Sequence, residues 1–120
     1  MKLTQAYSSE HFRKEAHQLV DVLADYLTKA QNQTLETVIP YRLPQENLQF
    51  WQEDFEQGKG DPISFFEKVI EQSTHLHHPR YMGHQVSPPL PMAALTGLLT
   101  GLLNNGMAVY VMGLVSNPLE

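Results

Sequence analysis

His77-His78-Pro79-Arg80-Tyr81-Met82-Gly83-His84-Gln85-Val86-Ser87-Pro88-Pro89 runs directly into residues 90–103, Leu-Pro-Met-Ala-Ala-Leu-Thr-Gly-Leu-Leu-Thr-Gly-Leu-Leu, the most apolar segment of the chain. A polar and aromatic loop leading into a helix that demands burial is the usual layout of a site held on a rigid support. The segment starts with Pro91 near its first turn and ends at Asn104-Asn105-Gly106, a natural helix stop. Its 14 residues are too few for a bilayer, which needs about 20, so it reads as a buried helix. Gly97 and Gly101 lie four apart with Ala93 on the same face, which lets another backbone approach closely. Close packing in a core or a subunit interface explains this spacing better than a membrane-helix dimer.

Upstream, the periodicity predicts three more helices. Residues 8 to about 31 form a long amphipathic one, with Phe12, Ala16, Leu19, Leu23, Leu27 and Ala30 on one stripe and Lys14, Glu15, Gln18 and Asp21 facing water. Ser8 or Ser9 serves as its N-cap. His11 and His17 lie on this helix as solvated side chains. Residues 34–44, interrupted by Pro40 and Pro44, read as a crossing loop with too many large side chains to stay in solvent. A second helix spans 44 to about 56, with Leu48, Trp51 and Phe55 sharing a packed face, and ends at Gly58-Lys59-Gly60. A third spans 61 to about 72, opened by Asp61-Pro62, with Phe65, Phe66, Val69 and Ile70 on a wide apolar face. Downstream, residues 107–114 are a short apolar run, strand or extended. The chain is therefore expected to be all-α, about four helices plus loops. It divides into a helical segment, 1–72, and a segment holding the loop and the leucine-rich helix, 73–120.

Composition limits what the loop can do. At 120 residues the chain is one domain at most. A net charge of -5 from 13 acidic and 8 basic residues provides no basic face for nucleic acid. With no cysteine there is no disulfide framework and no thiolate metal site. Residues 1–9 have no apolar run of signal-peptide length, and the chain reads as cytoplasmic.

The loop itself carries four histidines in ten positions, His75, His77, His78 and His84, a density that raises a zinc site. Against it, no helix holds two of them at i and i+4, no carboxylate stands among them, and Pro79 restricts His78. The loop reads instead as polar side chains converging on an organic ligand or a partner surface, with no metal. Arg80 has the fork to hold a carboxylate or phosphate, although a solvated charge or a structural ion pair is the commoner fate of a single arginine. Residues 116–120, Ser-Asn-Pro-Leu-Glu, form a helix-start signal with no helix after it. The expectation is a fragment of a longer protein, whose open apolar surface should make it self-associate.

The run from His77 to His84, the Ser87-Pro88-Pro89-Leu90-Pro91 step and residues 104–120 closely resemble the N-terminal portion of group II pyridoxal-phosphate-dependent decarboxylases, the family of aromatic-amino-acid, diaminobutyrate and glutamate decarboxylases. The resemblance is strong over 73–120 and looser, mainly in helix order, over 8–72. It implies a cytoplasmic homodimer of fold-type I, with intertwined N-terminal helices, truncated here before the large α/β domain. In such enzymes the loop lines the substrate pocket, which on this sequence implies His84, Gln85, Val86 and Ser87. The segment after the leucine helix approaches the partner's pocket, which implies Gly106, Met107 and Ala108. Aromatic-amino-acid members tend to place aromatic side chains where His84 and Gln85 stand, which points away from a bare aromatic amino acid as substrate. Leu114 departs from a proline that relatives often carry near that point, which leaves the start of the next helix open.

The same resemblance shows what this chain lacks. The family's Schiff-base lysine follows a histidine, whereas here there is no His-Lys pair and no lysine after Lys68. The aspartate for the pyridinium nitrogen and the histidine that stacks on the ring are also absent. Without them carbanion stabilisation has no apparatus. The implied function is therefore part of an amino-acid decarboxylase that supplies dimer contacts and one pocket wall, with no catalytic or cofactor-binding residue and no pyridoxal phosphate bound to it alone. The alternative is a freestanding helical interaction module that pairs through its long helix and its glycine-faced helix.

Overall fold

The computed structural model describes residues 3–58, 60–83, 85–106, 110–112, 114, 115 and 119. Its elements are α1 (Leu3–Ala6), α2 (Ser9–Gln31), α3 (Pro44–Gln57), α4 (Pro62–Glu71), α5 (Pro91–Leu103) and a 3-10 turn, Tyr110–Met112. Among the described residues all regular structure is helical, as the periodicity predicts.

Local chemistry sets the helix ends. Ser8 is the N-cap of α2: its Oγ accepts the His11 amide at 3.3 Å, satisfying one of the free first-turn donors. Glu10 in the first turn and Lys29 in the last suit the helix dipole. The helix ends where Gln33 turns left-handed (φ 59) and the Thr34 amide bonds back to the Lys29 carbonyl at 3.0 Å. At α3, Pro44 opens the first turn, and the Leu43 amide donates to Glu46 Oε2 at 3.2 Å. At α4, Asp61 Oδ2 accepts the Ser64 amide at 3.1 Å, with Pro62 in the first turn. Replacing Asp61 by alanine removes this cap and should cost about 1 kcal/mol. Thermal melts followed by circular dichroism check it: an unchanged midpoint in Asp61→Ala would show that the cap is idle. At the C-terminal end of α5, Asn104 adopts the left-handed conformation (φ 46) that Asn tolerates best after Gly.

The chain forms two compact units, Met1–Val86 and Ser87–Glu120. In the first, α4 packs on α2. An aromatic cluster joins α3 to α4: the Phe65 ring lies 6.0 Å from Trp51, 5.8 Å from Phe55 and 6.1 Å from Phe66, centroid to centroid. Phe50 stands edge-on to Trp51 and carries the Arg42 guanidinium 3.9 Å above its own ring. An ion pair between Lys68 and Asp54 ties the same two helices. Of the α2 stripe, Ala30 is completely buried, Ala16, Leu19 and Leu27 are half-buried, and Phe12 and Leu23 stay exposed at one end and the middle. The second unit consists of α5 and the residues around it.

Several expectations fail on burial. Residues 34–44 do form an irregular crossing, but Ile39 and Tyr41 are exposed. Leu35, Val38, Pro40 and Arg42 turn partly inward, the last three at alternate positions as an extended backbone requires. On α3, Trp51 is half-buried whereas Leu48 and Phe55 are exposed, Phe55 even though its ring lies 5.8 Å from Phe65. Helix α5 has no buried residue: Leu90, Met92, Leu95, Leu98, Leu99, Leu102 and Leu103 are all exposed. In the 107–114 run the described part is a tight 3-10 turn and not a strand. A run this short has no period to separate the two, and a Cβ on Gly106 would come within 3.2 Å of the Met112 side chain, so the chain folds back locally there. The helix-start signal at 116–118 and Glu120 lies outside the described residues.

Candidate functional site

Among the described residues, His75 and His78 are the buried polar side chains, 4% and 5% exposed. Both sit in the turn that follows α4. Ser73 bonds back to the last turn of that helix, its amide to Ile70 and its Oγ to the Val69 carbonyl at 2.6 Å. The His75 amide then donates to the Val38 carbonyl of the crossing loop at 2.9 Å. Its ring Nδ1 lies 3.3 Å from the Tyr26 hydroxyl of α2, ring centroids 5.5 Å apart. Two further turns follow: the His78 amide donates to the His75 carbonyl at 3.0 Å and the Tyr81 amide to the His78 carbonyl at 2.9 Å. Between them, His78 Nδ1 accepts the Arg80 amide at 3.1 Å, so its neutral form carries the proton on Nε2. Burial pushes the His75 ring below the ordinary imidazole range, and the nearby His78 pushes it further the same way. Burial raises the Tyr26 phenol. Both groups of this contact are therefore neutral at physiological pH.

The loop beyond this turn is open. Tyr81 is half-buried, and a Cβ on Gly83 would collide with the Tyr81 ring and hydroxyl, so glycine is what lets that ring lie against the backbone. Met82, Gln85 and Val86 are exposed, as is Arg80, which fits a solvated charge. Gln85 and Val86 close the first unit, while Ser87, exposed, opens the second, and Gly106, half-buried, follows α5 in it. His84, Met107 and Ala108 lie outside the described residues. Of the four loop histidines, His75 and His78 are buried and His77 half-buried. No three His, Asp or Glu side chains among the described residues converge in a metal-holding arrangement.

Segment 73–86 thus folds with the helices before it. Tyr26 and the Val38 carbonyl, which dock it, are legible in the sequence only as a polar-tipped residue beside the α2 stripe and an extended β-branched residue. Neither feature names its partner.

No family model, curated protein or solved structure matches the chain.

Two cavities lie in the first unit. One, of about 550 Å³, is bounded by α2, the crossing loop, α4 and His75, and four carboxylates line it, Asp25, Glu36, Glu67 and Glu71, against the single cation Lys29. The other, of about 580 Å³, lies between the end of α3 and the start of α4 and holds Asp54, Asp61 and Lys68, the last already paired with Asp54. Neither donor set fits pyridoxal phosphate. A phosphate needs cations and free amides, and an internal aldimine needs an unpaired lysine. The first cavity repels an anion and the second has no free lysine among its described lining. Among the described residues no helix is long and apolar enough to cross a membrane.

Proposed function

We propose that this chain is the pocket-lining and dimerising N-terminal part of a pyridoxal-phosphate-dependent amino-acid decarboxylase, working in the cytoplasm. The observation that carries the reading is the combination of a docked turn, 73–81, with exposed residues after it, Met82, Gln85 and Val86, and a leucine-rich helix α5 that has no buried residue. A wall of a pocket needs one anchored edge and one free face, and this layout supplies both. The His-Pro-Arg-Tyr-Met-Gly-His run and the Ser-Pro-Pro step are the sequence elements behind the family assignment. His84, Gln85, Val86 and Ser87 would line the pocket, and Gly106, Met107 and Ala108 would approach the partner's. The covalent chemistry belongs to a lysine that this sequence does not contain after Lys68.

The direct test is the reading frame that encodes the chain. A continuation of some hundreds of codons carrying a His-Lys pair is required, and a stop immediately after Glu120 would sink the reading. In the holoenzyme, Gln85→Ala and Ser87→Ala should each lower kcat/KM for the amino acid by about tenfold, the worth of one substrate hydrogen bond. Values within twofold of the parent for both would remove these residues from the pocket. The chain by itself, mixed with pyridoxal phosphate, should give no internal-aldimine absorbance. A second reading, a helical interaction module without catalysis, draws on the same exposed α5. The absence of carbon dioxide release by the complete gene product would favour it.

A further inference from the structure

We propose that residues 87–91, Ser-Pro-Pro-Leu-Pro, form a polyproline II strip that docks into a protein domain whose groove is lined by aromatic rings and carries no acidic specificity pocket. The inference does not rest on the decarboxylase reading.

The prolines set the shape of the strip. In Pro88, Pro89 and Pro91 the ring locks φ at about −65°. Ser87, Pro88 and Leu90 each precede a proline, which drives their ψ into the extended range. Leu90 has φ −63 and ψ 136, close to the polyproline II values of about −75° and +145°. Such a helix makes no internal hydrogen bonds and leaves its backbone to solvent or a partner. Among the described residues no backbone bond reaches Ser87, Pro88 or Pro89, and the Leu90 carbonyl is taken by the Ala93 amide at 2.8 Å. All five residues are exposed.

With three residues per turn and about 3.1 Å of rise, Pro88 and Pro91 fall on one edge about 9 Å apart, Ser87 and Leu90 on the next, and Pro89 on the third. Two X-Pro steps in that register, Ser87-Pro88 and Leu90-Pro91, are the Pro-x-x-Pro pattern that aromatic-lined grooves accept. A stiff spacer ahead of α5 would account for Pro88 and Pro89, and a first helical turn accounts for Pro91. Neither role needs a leucine between them, and Leu90 stands 76% exposed. Charge then selects among grooves. No Lys, Arg, Asp or Glu occurs between Arg80 and Glu120, so a groove that reads a flanking cation through an acidic pocket finds nothing to bind. The backbone already has its bound form, and docking costs little conformational freedom.

The test is NMR titration, with the full chain, of an isotope-labelled WW domain that takes uncharged Pro-x-x-Pro ligands. An SH3 domain that requires a flanking arginine is the second probe. Saturable shifts are expected at the groove aromatics of the WW domain and none on the SH3 domain. Pro88→Ala, Leu90→Ala and Pro91→Ala should each weaken binding by about tenfold, the loss of one apolar anchor. Pro89→Ala, on the third edge, should weaken it by less than about threefold, the loss of stiffness alone. Alanine is a good helix former, so Pro91→Ala should keep the circular dichroism of the parent. An unshifted WW domain, or binding by a peptide of residues 85–92 but not by the full chain, would overturn the strip. A Pro89→Ala loss as large as that of Pro88→Ala, or equal binding by the SH3 domain, would overturn it too.

Discussion

The chain should elute as a dimer or larger, and replacing Leu95, Leu98 and Leu102 together by glutamate should make it a monomer, weakening that association by about four orders of magnitude. These residues stand at i, i+3 and i+7 on α5, and Met92, Leu99 and Leu103 widen the same apolar arc. Ala93, Ala94, Gly97 and Gly101 make a small-residue arc on the other side. The helix has no charged residue, and Thr96 and Thr100 spend their hydroxyls on the Met92 and Gly97 carbonyls at 3.2 and 3.1 Å. Leu95, Leu98 and Leu102 are 50%, 46% and 64% exposed. Covering a side chain already half-buried recovers about 1 kcal/mol. Six such leucines across a two-copy contact give about 6 kcal/mol, or about four powers of ten in dissociation constant.

Glutamate is a good helix former, so the variant should keep its helical circular dichroism, and size-exclusion chromatography with light scattering then reads association alone. Thr100→Glu, on the opposite side, is the control. If Thr100→Glu dissociates the chain and the leucine triple does not, the contact uses the glycine arc. If neither changes the elution, α5 is not what holds copies together.

The helices were legible because each of their ends is a local decision. Ser8, Pro44, Asp61, Pro62, Pro91 and Asn104 act within one turn of where they stand, and the bonds at Ser8, Leu43 and Asp61 are side-chain-to-backbone contacts across three residues. Burial was not legible, because it depends on what lies across from a face. Periodicity marked Leu48, Phe55 and the whole of α5 as apolar without saying how little of each is covered. The candidate site divides the same way. The density of histidines between residues 75 and 84 marked the right stretch, yet the fate of His75 is set by Tyr26, 49 residues away in sequence, and by Val38. Contacts over that distance leave no periodic trace.

Phe65→Ala should lower the thermal midpoint of the first unit by about 10 °C. Phe65 is the one ring in the cluster that touches three others, Trp51 and Phe55 from α3 and Phe66 beside it on α4. Removing a fully buried Phe costs about 3–5 kcal/mol. Phe65 is half-buried, so about 2 kcal/mol is the fair figure, and at about 4–8 °C per kcal/mol for a domain of this size the shift follows. The α3–α4 contact then rests on the Lys68–Asp54 ion pair, and a partly exposed pair contributes about 1 kcal/mol at most. Trp51 should report the loss in its fluorescence before α2 melts. Phe55→Ala is the graded comparison: at 70% exposed it should move the midpoint by less than a third as much. Equal shifts in the two variants would mean that the cluster contributes through total apolar area and not through Phe65 as its hub.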